Sequence, residues 1–219
     1  MKNYNSPPSA GSRLPFKKTF SLLFVLSLFV ALPGCKEKAK EYEEVKKPGK
    51  NEMSQKDLIK RGEYLVTSIG CADCHSPKKV GGKPMEEDAG LKLSGYRQGT
   101  DLPEIDQNSI KNGWMLMNSE LTAAVGPWGV SFAANLTSHE TGIGNWSFDQ
   151  FKTAMTKGKF KGMENGRDIL PPMPWQNFAN LTEEDLKAMY HYLQSTKPID
   201  NAVPAPIPPN QMDSLYVNK

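Results

Sequence analysis

The sequence predicts an all-α domain, and three capped apolar stripes predict it. Ser54 and Asp57 stand in capping spacing ahead of Leu58, Ile59, Gly62, Leu65, Val66 and Ile69, which share one helical face. Thr182 and Asp185 repeat that start near the other end, with Leu186, Met189, Tyr190 and Leu193 on one face and Pro198 beyond the stop. Between them Ser147-Phe148-Asp149-Gln150 opens a third, shorter helix that should bury Phe148, Phe151 and Met155. Gly62 lowers helix propensity in mid-stripe, which suits the close approach of a second helix, expected at Tyr190. With 219 residues, 38% hydrophobic and 9% aromatic, the chain can bury the core of one domain or two small ones, and wholesale disorder is excluded.

The beginning of the chain reads differently. Lys2, Arg13, Lys17 and Lys18 all precede residue 35 and no acid does; without them 23 basic residues face 24 acidic ones. A near-neutral remainder argues against nucleic-acid binding, which needs a basic face to neutralise phosphates. Behind Lys17 and Lys18, the uncharged run from Phe20 to Leu32 has the layout of a secretory signal, here residues 1–34. It falls short of the roughly 20 residues that span a bilayer. Leu32-Pro33-Gly34-Cys35 resembles the lipobox of bacterial lipoproteins, although Pro33 departs from the usual small or branched residue. Lipidation of Cys35 is therefore expected, with the domain exported and anchored to a membrane, facing the periplasm or outer membrane surface. The alternative is an uncleaved or conventionally cleaved signal that leaves Cys35 an ordinary thiol. Residues 35–53 are dominated by Lys and Glu around Pro48-Gly49 and read as a solvated tether, whose root-mean-square reach is roughly 25 Å.

The remaining cysteines form Cys71-Ala72-Asp73-Cys74-His75, which matches the attachment signature of c-type haem. Two thiols so spaced add to the haem vinyl groups, and the adjacent imidazole is placed to ligate the iron. A redox disulfide would want a βαβ context, and a zinc site a second ligand pair that no other cysteine supplies. The predicted cofactor is one covalent haem c.

From Ser54 to Pro198 the chain resembles class I c-type cytochromes, most nearly the monohaem domains related to cytochrome subunits of bacterial membrane-bound dehydrogenases. The resemblance rests on Arg61-Gly62-Glu63-Tyr64-Leu65 ahead of the haem motif, on Asn135-Leu136-Thr137, and on Thr141-Gly142-Ile143-Gly144-Asn145-Trp146. It continues through Pro171-Pro172-Met173-Pro174-Trp175, Leu181-Thr182-Glu183-Glu184-Asp185-Leu186 and Tyr190 to Tyr192-Leu193. Many relatives carry two or three such domains, whereas this sequence has one Cys-x-x-Cys-His. The implied fold packs N- and C-terminal helices around one covalent haem, with a long loop insertion after the haem motif.

The resemblance makes His75 and Met173 the axial iron ligands, Met173 held between two prolines; Met163 is the other loop methionine to weigh. Asn135, Trp146 and Trp175 are implied around the haem propionates, where indole N–H groups can only donate; core packing is the alternative for both tryptophans. Arg167 could pair a propionate or stay solvated. His191 is expected at the surface, and His139, in a polar turn, is the weaker candidate for a bis-imidazole site. Residues 76–130 are punctuated by Gly and Pro with no long amphipathic pattern. Within them Gly90-Leu91-Lys92-Leu93-Ser94-Gly95 is similar to the family loop whose carbonyl orients the ligand histidine, but its role is left unassigned. Trp114, Met115, Met117 and Trp128 are expected as core cover, and the Pro-rich tail 199–219 either wraps the domain or hangs loose.

Six-coordinate iron disfavours substrate chemistry at the metal. The expected function is single-electron transfer by a membrane-anchored carrier, not an enzyme, between a redox protein donor and an acceptor in a respiratory or dehydrogenase chain. The alternatives are a fixed electron-accepting subunit of a dehydrogenase complex, and a peroxidase-like or sensor haem protein with an open iron position.

Overall fold

The computed structural model describes residues 53–79, 81, 83 and 85–216. The leader, Cys35 and nearly all of the tether lie outside them. Six α-helices follow in order: α1 (Gln55–Ser68), α2 (Cys71–His75), α3 (Gln107–Lys111), α4 (Phe148–Lys157), α5 (Trp175–Phe178) and α6 (Glu183–Gln194). Among the described residues no helix is long and apolar enough to cross a membrane. The long helices start where short polar side chains can satisfy orphan amides. Ser54 Oγ accepts from Asp57 N, Thr182 Oγ1 from Asp185 N, and Ser147 and Gln150 close a reciprocal capping box.

The first and last long helices cross at Gly62. A methyl group there would lie 2.0 Å from the Ala188 carbonyl oxygen and 2.7 Å from Tyr192 Cβ, so the two backbones nearly touch. The partner expected from the sequence, Tyr190, is therefore corrected to Ala188 and Tyr192. Tyr190 sits on the neighbouring face of α6, where its ring meets Phe148 and Phe151 and its hydroxyl donates to the Trp146 carbonyl at 2.7 Å. Arg61 and Asp185 bridge the crossing as an ion pair. Beneath it Val66, Ile143, Phe151, Met155, Phe178, Leu186, Met189 and Leu193 form the main core with Leu93.

The all-α expectation is wrong in the region that showed no amphipathic pattern. That stretch carries a three-stranded antiparallel sheet, β1 (Leu116–Met117), β2 (Ala123–Gly126) and β3 (Gly129–Phe132), in order β1-β2-β3. Two physical reasons hid it. Residues Ala123 to Gly126 are all buried, so the polar-apolar alternation of a half-exposed strand never appears. The β2–β3 hairpin turns on Pro127-Trp128, which lacks the Asn-Gly or Asp-Gly signature of the common two-residue turns.

This sheet builds a second core from Ile105, Val125, Val130 and Met212. The proline-rich tail wraps the domain: Val130 and Ile207 exchange both backbone bonds, at 2.8 and 3.0 Å. Asn201, buried, donates to the Ser94 and Tyr96 carbonyls and accepts from Gln98 N. Trp114 and Met115, expected as core cover, are instead 67% and 45% exposed. They precede an edge strand only two residues long, and among the described residues no strand pairs beyond it.

Candidate functional site

His75 ends α2 and is buried. Its Nδ1 lies 2.7 Å from the Ala134 carbonyl oxygen. A carbonyl can only accept, so Nδ1 carries the proton and Nε2 keeps its lone pair for a metal. Burial pushes the imidazole pKa below its ordinary value, which also favours the neutral ligand form. Gly95 makes this approach possible. Its N–H donates to the His75 carbonyl at 2.8 Å, its φ is +80°, and a methyl there would meet the Ala133 carbonyl oxygen at 2.4 Å. The loop 90–95 thus backs the histidine's main chain, with Leu93 N donating to Ser76 Oγ, while the carbonyl on the ring comes from Ala134.

Cys71 and Cys74 lie in the same short helix as free, half-buried thiols. Burial drives the Cys71 thiol up to about 11 and raises Cys74 as well. Neither is a ready thiolate, the form that attacks a disulfide or binds a bare metal ion. Two uncombined thiols and an imidazole with a free Nε2, on one turn of helix, are the donor set that covalent haem requires, and the residues present fit that group.

Met173 follows Pro172 in the segment leading to α5; it is half-buried and packs against the main core. Met163 is 59% exposed and follows the 3₁₀ turn Phe160–Gly162. Trp146 also packs against the main core, and Trp175 lies against the Gly158 backbone at the end of α4. No protein acceptor engages either indole N–H among the described residues, which leaves both donors for solvent or a ligand. Asn135 behaves otherwise. Its Oδ1 accepts from Thr137 N and Oγ1 at 2.9 and 2.8 Å, and its Nδ2 donates to Thr141 Oγ1 and the Ile199 carbonyl at 3.1 and 2.8 Å. Those bonds use the whole amide to clamp the Asn-Leu-Thr segment to the tail. Arg167 stacks on the Phe160 ring at 3.7 Å. His139 Nδ1 is engaged by Thr141, and His191 is half-buried edge-on to Tyr190.

One residue that sequence reasoning missed is Lys78. Its ammonium is buried and donates to the Asp73 and Ser76 carbonyls at 2.8 and 2.7 Å, and more weakly to Ala72 at 3.4 Å. A cation thus caps the exposed carbonyl end of the motif helix. Arg97 donates to the Lys78 carbonyl at 2.8 Å and pairs with Asp88 and Glu120, which ties the insertion to the motif. A lysine in a run of lysines, Lys78-Lys79, carries no signal of burial. Ala134 was invisible for a different reason: it acts through its main chain.

The chain matches the family model described as Cytochrome c over residues 59–197. It is 30% identical over 157 residues to the gluconate 2-dehydrogenase cytochrome c subunit of Pantoea cypripedii, covering 68% of this chain and 27% of that protein. It is 28% identical over 156 residues to the fructose dehydrogenase cytochrome subunit of Gluconobacter japonicus, covering 70% and 24%. The cytochrome c subunit of the quinone-dependent alcohol dehydrogenase of Gluconobacter oxydans matches at 28% over 144 residues, 65% of this chain and 22% of that one. The chain therefore spans about a quarter of the length of these curated relatives. With the site and these matches together, the chain belongs to the cytochrome c family, with covalent haem c for which Cys71, Cys74 and His75 form the attachment sequence.

Proposed function

We propose that this chain is a non-catalytic carrier that passes single electrons between two redox proteins at the outer side of a bacterial membrane, with His75 and Met173 as axial ligands. The observation that carries the reading is the buried His75 ring, its Nδ1–H spent on Ala134 and its Nε2 free. Bound haem c supplies a one-electron couple. The protein's own work is to hold one imidazole tautomer, to keep water from the ring, and to offer a second, polarisable ligand from a rigid segment. A methionine pair to histidine raises the potential and closes the iron to substrates. Trp146 and Trp175 are the donors proposed for the propionates. Asn135 is proposed to frame the pocket by fixing the chain beside Ala134.

Met173→Ala should erase the weak near-infrared sulfur-to-iron band of the oxidised protein, lower the midpoint potential and admit carbon monoxide to the reduced form. Met163→Ala should do none of this. A Met163→Ala variant that changed spectrum and potential while Met173→Ala did not would move the ligand and spare the carrier. Five-coordinate wild-type iron that binds carbon monoxide readily would favour the sensor or peroxidase reading instead.

A second reading, a fixed electron-accepting subunit of a dehydrogenase complex, is supported by the relatives named as dehydrogenase cytochrome subunits. Co-purification from the native membrane distinguishes the two, since a mobile carrier purifies alone. Lipidation of Cys35 would restrict either to the membrane plane, and the several acyl chains of a bacterial lipoprotein should hold firmly where a single chain would not. Intact mass of the mature protein should then begin at Cys35 with added lipid, and Cys35→Ser should release the domain from membranes. An unmodified Cys35 would refute the anchor.

A further inference from the structure

β3 and the two residues after it touch both sides of the site. At one end Ser131 Oγ donates to the Pro171 carbonyl at 2.6 Å, two residues before Met173. At the other, Ala134 presents its carbonyl to His75 Nδ1. Only Phe132 and Ala133 lie between these two positions, whose Cα atoms are at most about 11 Å apart when fully extended.

The chain around both contacts is pinned. Val130 pairs with Ile207, Ala133 N donates to the Thr122 carbonyl at 2.8 Å, and Tyr96 N donates to the Ala133 carbonyl at 2.9 Å. Ser131 itself is buried, and its hydroxyl has one proton to give. The Pro171 oxygen at 2.6 Å takes it in preference to the Ala124 oxygen at 3.4 Å, while Trp128 Nε1 donates to the same Oγ at 3.3 Å. Proline has no N–H, so Pro171 and Pro172 cannot anchor their segment through main-chain donors, and the Pro171 carbonyl becomes its hold.

We infer that Ser131 is a positioning residue for the distal methionine, fixing the Pro171–Pro174 segment to the strand that leads into Ala134, whose carbonyl orients His75. The inference rests on Met173 being the axial ligand. Without the hydroxyl the segment keeps its prolines but loses its tie to the sheet, so Met173 should leave the iron more readily. The fold itself should change little, because β3 retains its ladder and its bonds to the tail.

The test uses the mature full-length protein with haem attached, and imidazole as the competing ligand for oxidised iron. Ser131→Ala should tighten imidazole binding about tenfold, the equivalent of about 1.4 kcal/mol for one hydrogen bond. It should also weaken the near-infrared band at a given imidazole concentration, and Ser131→Thr should restore both. Unchanged imidazole affinity and an unchanged band in a folded Ser131→Ala protein would overturn the inference. Ser131→Val, which suits a strand and lacks the proton donor, decides the matter if the alanine variant does not accumulate. Should neither mature, the hydroxyl serves folding and the positioning role is refuted. Met173→Ala separates the two readings: if it leaves the band intact, the ligand assignment has failed, whereas a band that needs Met173 but ignores Ser131 sinks only the present inference.

Discussion

Replacing Cys71 and Cys74 together by alanine should leave no haem-stained band after denaturing electrophoresis and a domain that melts far below the wild type. The thioethers are the covalent hold on the cofactor, and the protein surface around the motif is built to be covered. Leu65, Ala72, Leu136, Trp146 and Met173 are half-buried apolar residues packed on the main core. Shielding on the order of 200 Å² of such surface is worth about 5 kcal/mol, comparable with the whole stability of a small domain. A ligand that binds only the folded state stabilises it by mass action, and a covalent one cannot be diluted away. Thermal unfolding followed by far-UV circular dichroism reads the loss. A wild-type protein whose haem leaves under denaturation, or a double variant as stable as the wild type, would contradict this account.

Gly62→Ala is expected to be among the most damaging single methyl additions in the fold. Alanine is the better helix former by about 1 kcal/mol, so propensity alone predicts stabilisation. The added carbon, however, would stand 2.0 Å from the Ala188 carbonyl oxygen and 2.6 Å from its carbon, and both belong to helix backbone that cannot rotate aside. α1 and α6 must separate, which strains the Arg61–Asp185 pair and opens the core around Val66, Leu186 and Met189. Overpacking of this kind costs about 3 kcal/mol at the upper end of its usual range. Urea unfolding of the haem-bearing protein should show the midpoint falling with an unchanged slope. A variant as stable as the wild type would mean that the helices cross with room to spare.

The haem motif, the three capped helices and the methionine between prolines were legible in the sequence because each is local chemistry. A thiol pair with an adjacent imidazole, a Ser or Thr three residues before its bonded amide, and a 3.6-residue apolar period need no knowledge of the rest of the chain. The close approach at Gly62 was legible as well, but not its partner: Tyr190 and Ala188 both lie on α6, and only the packing of α6 on α1 decides which faces the glycine.

What the tertiary structure alone decided depends on main-chain groups and on long-range pairing. The sheet in residues 116–132 has a central strand, Ala123–Gly126, that is buried throughout and so shows no alternation. The carbonyl on His75 belongs to an alanine 59 residues away, and any residue type offers the same oxygen there. Lys78 reads as one more solvated lysine until the end of α2 surrounds it with carbonyls. By itself the sequence determined the cofactor, its attachment and the helices that carry it, because side-chain identity encodes them. The orientation of the His75 ring and the bond from Ser131 to the Pro171 carbonyl were settled only by folding, because they rest on backbone oxygens that all residues share.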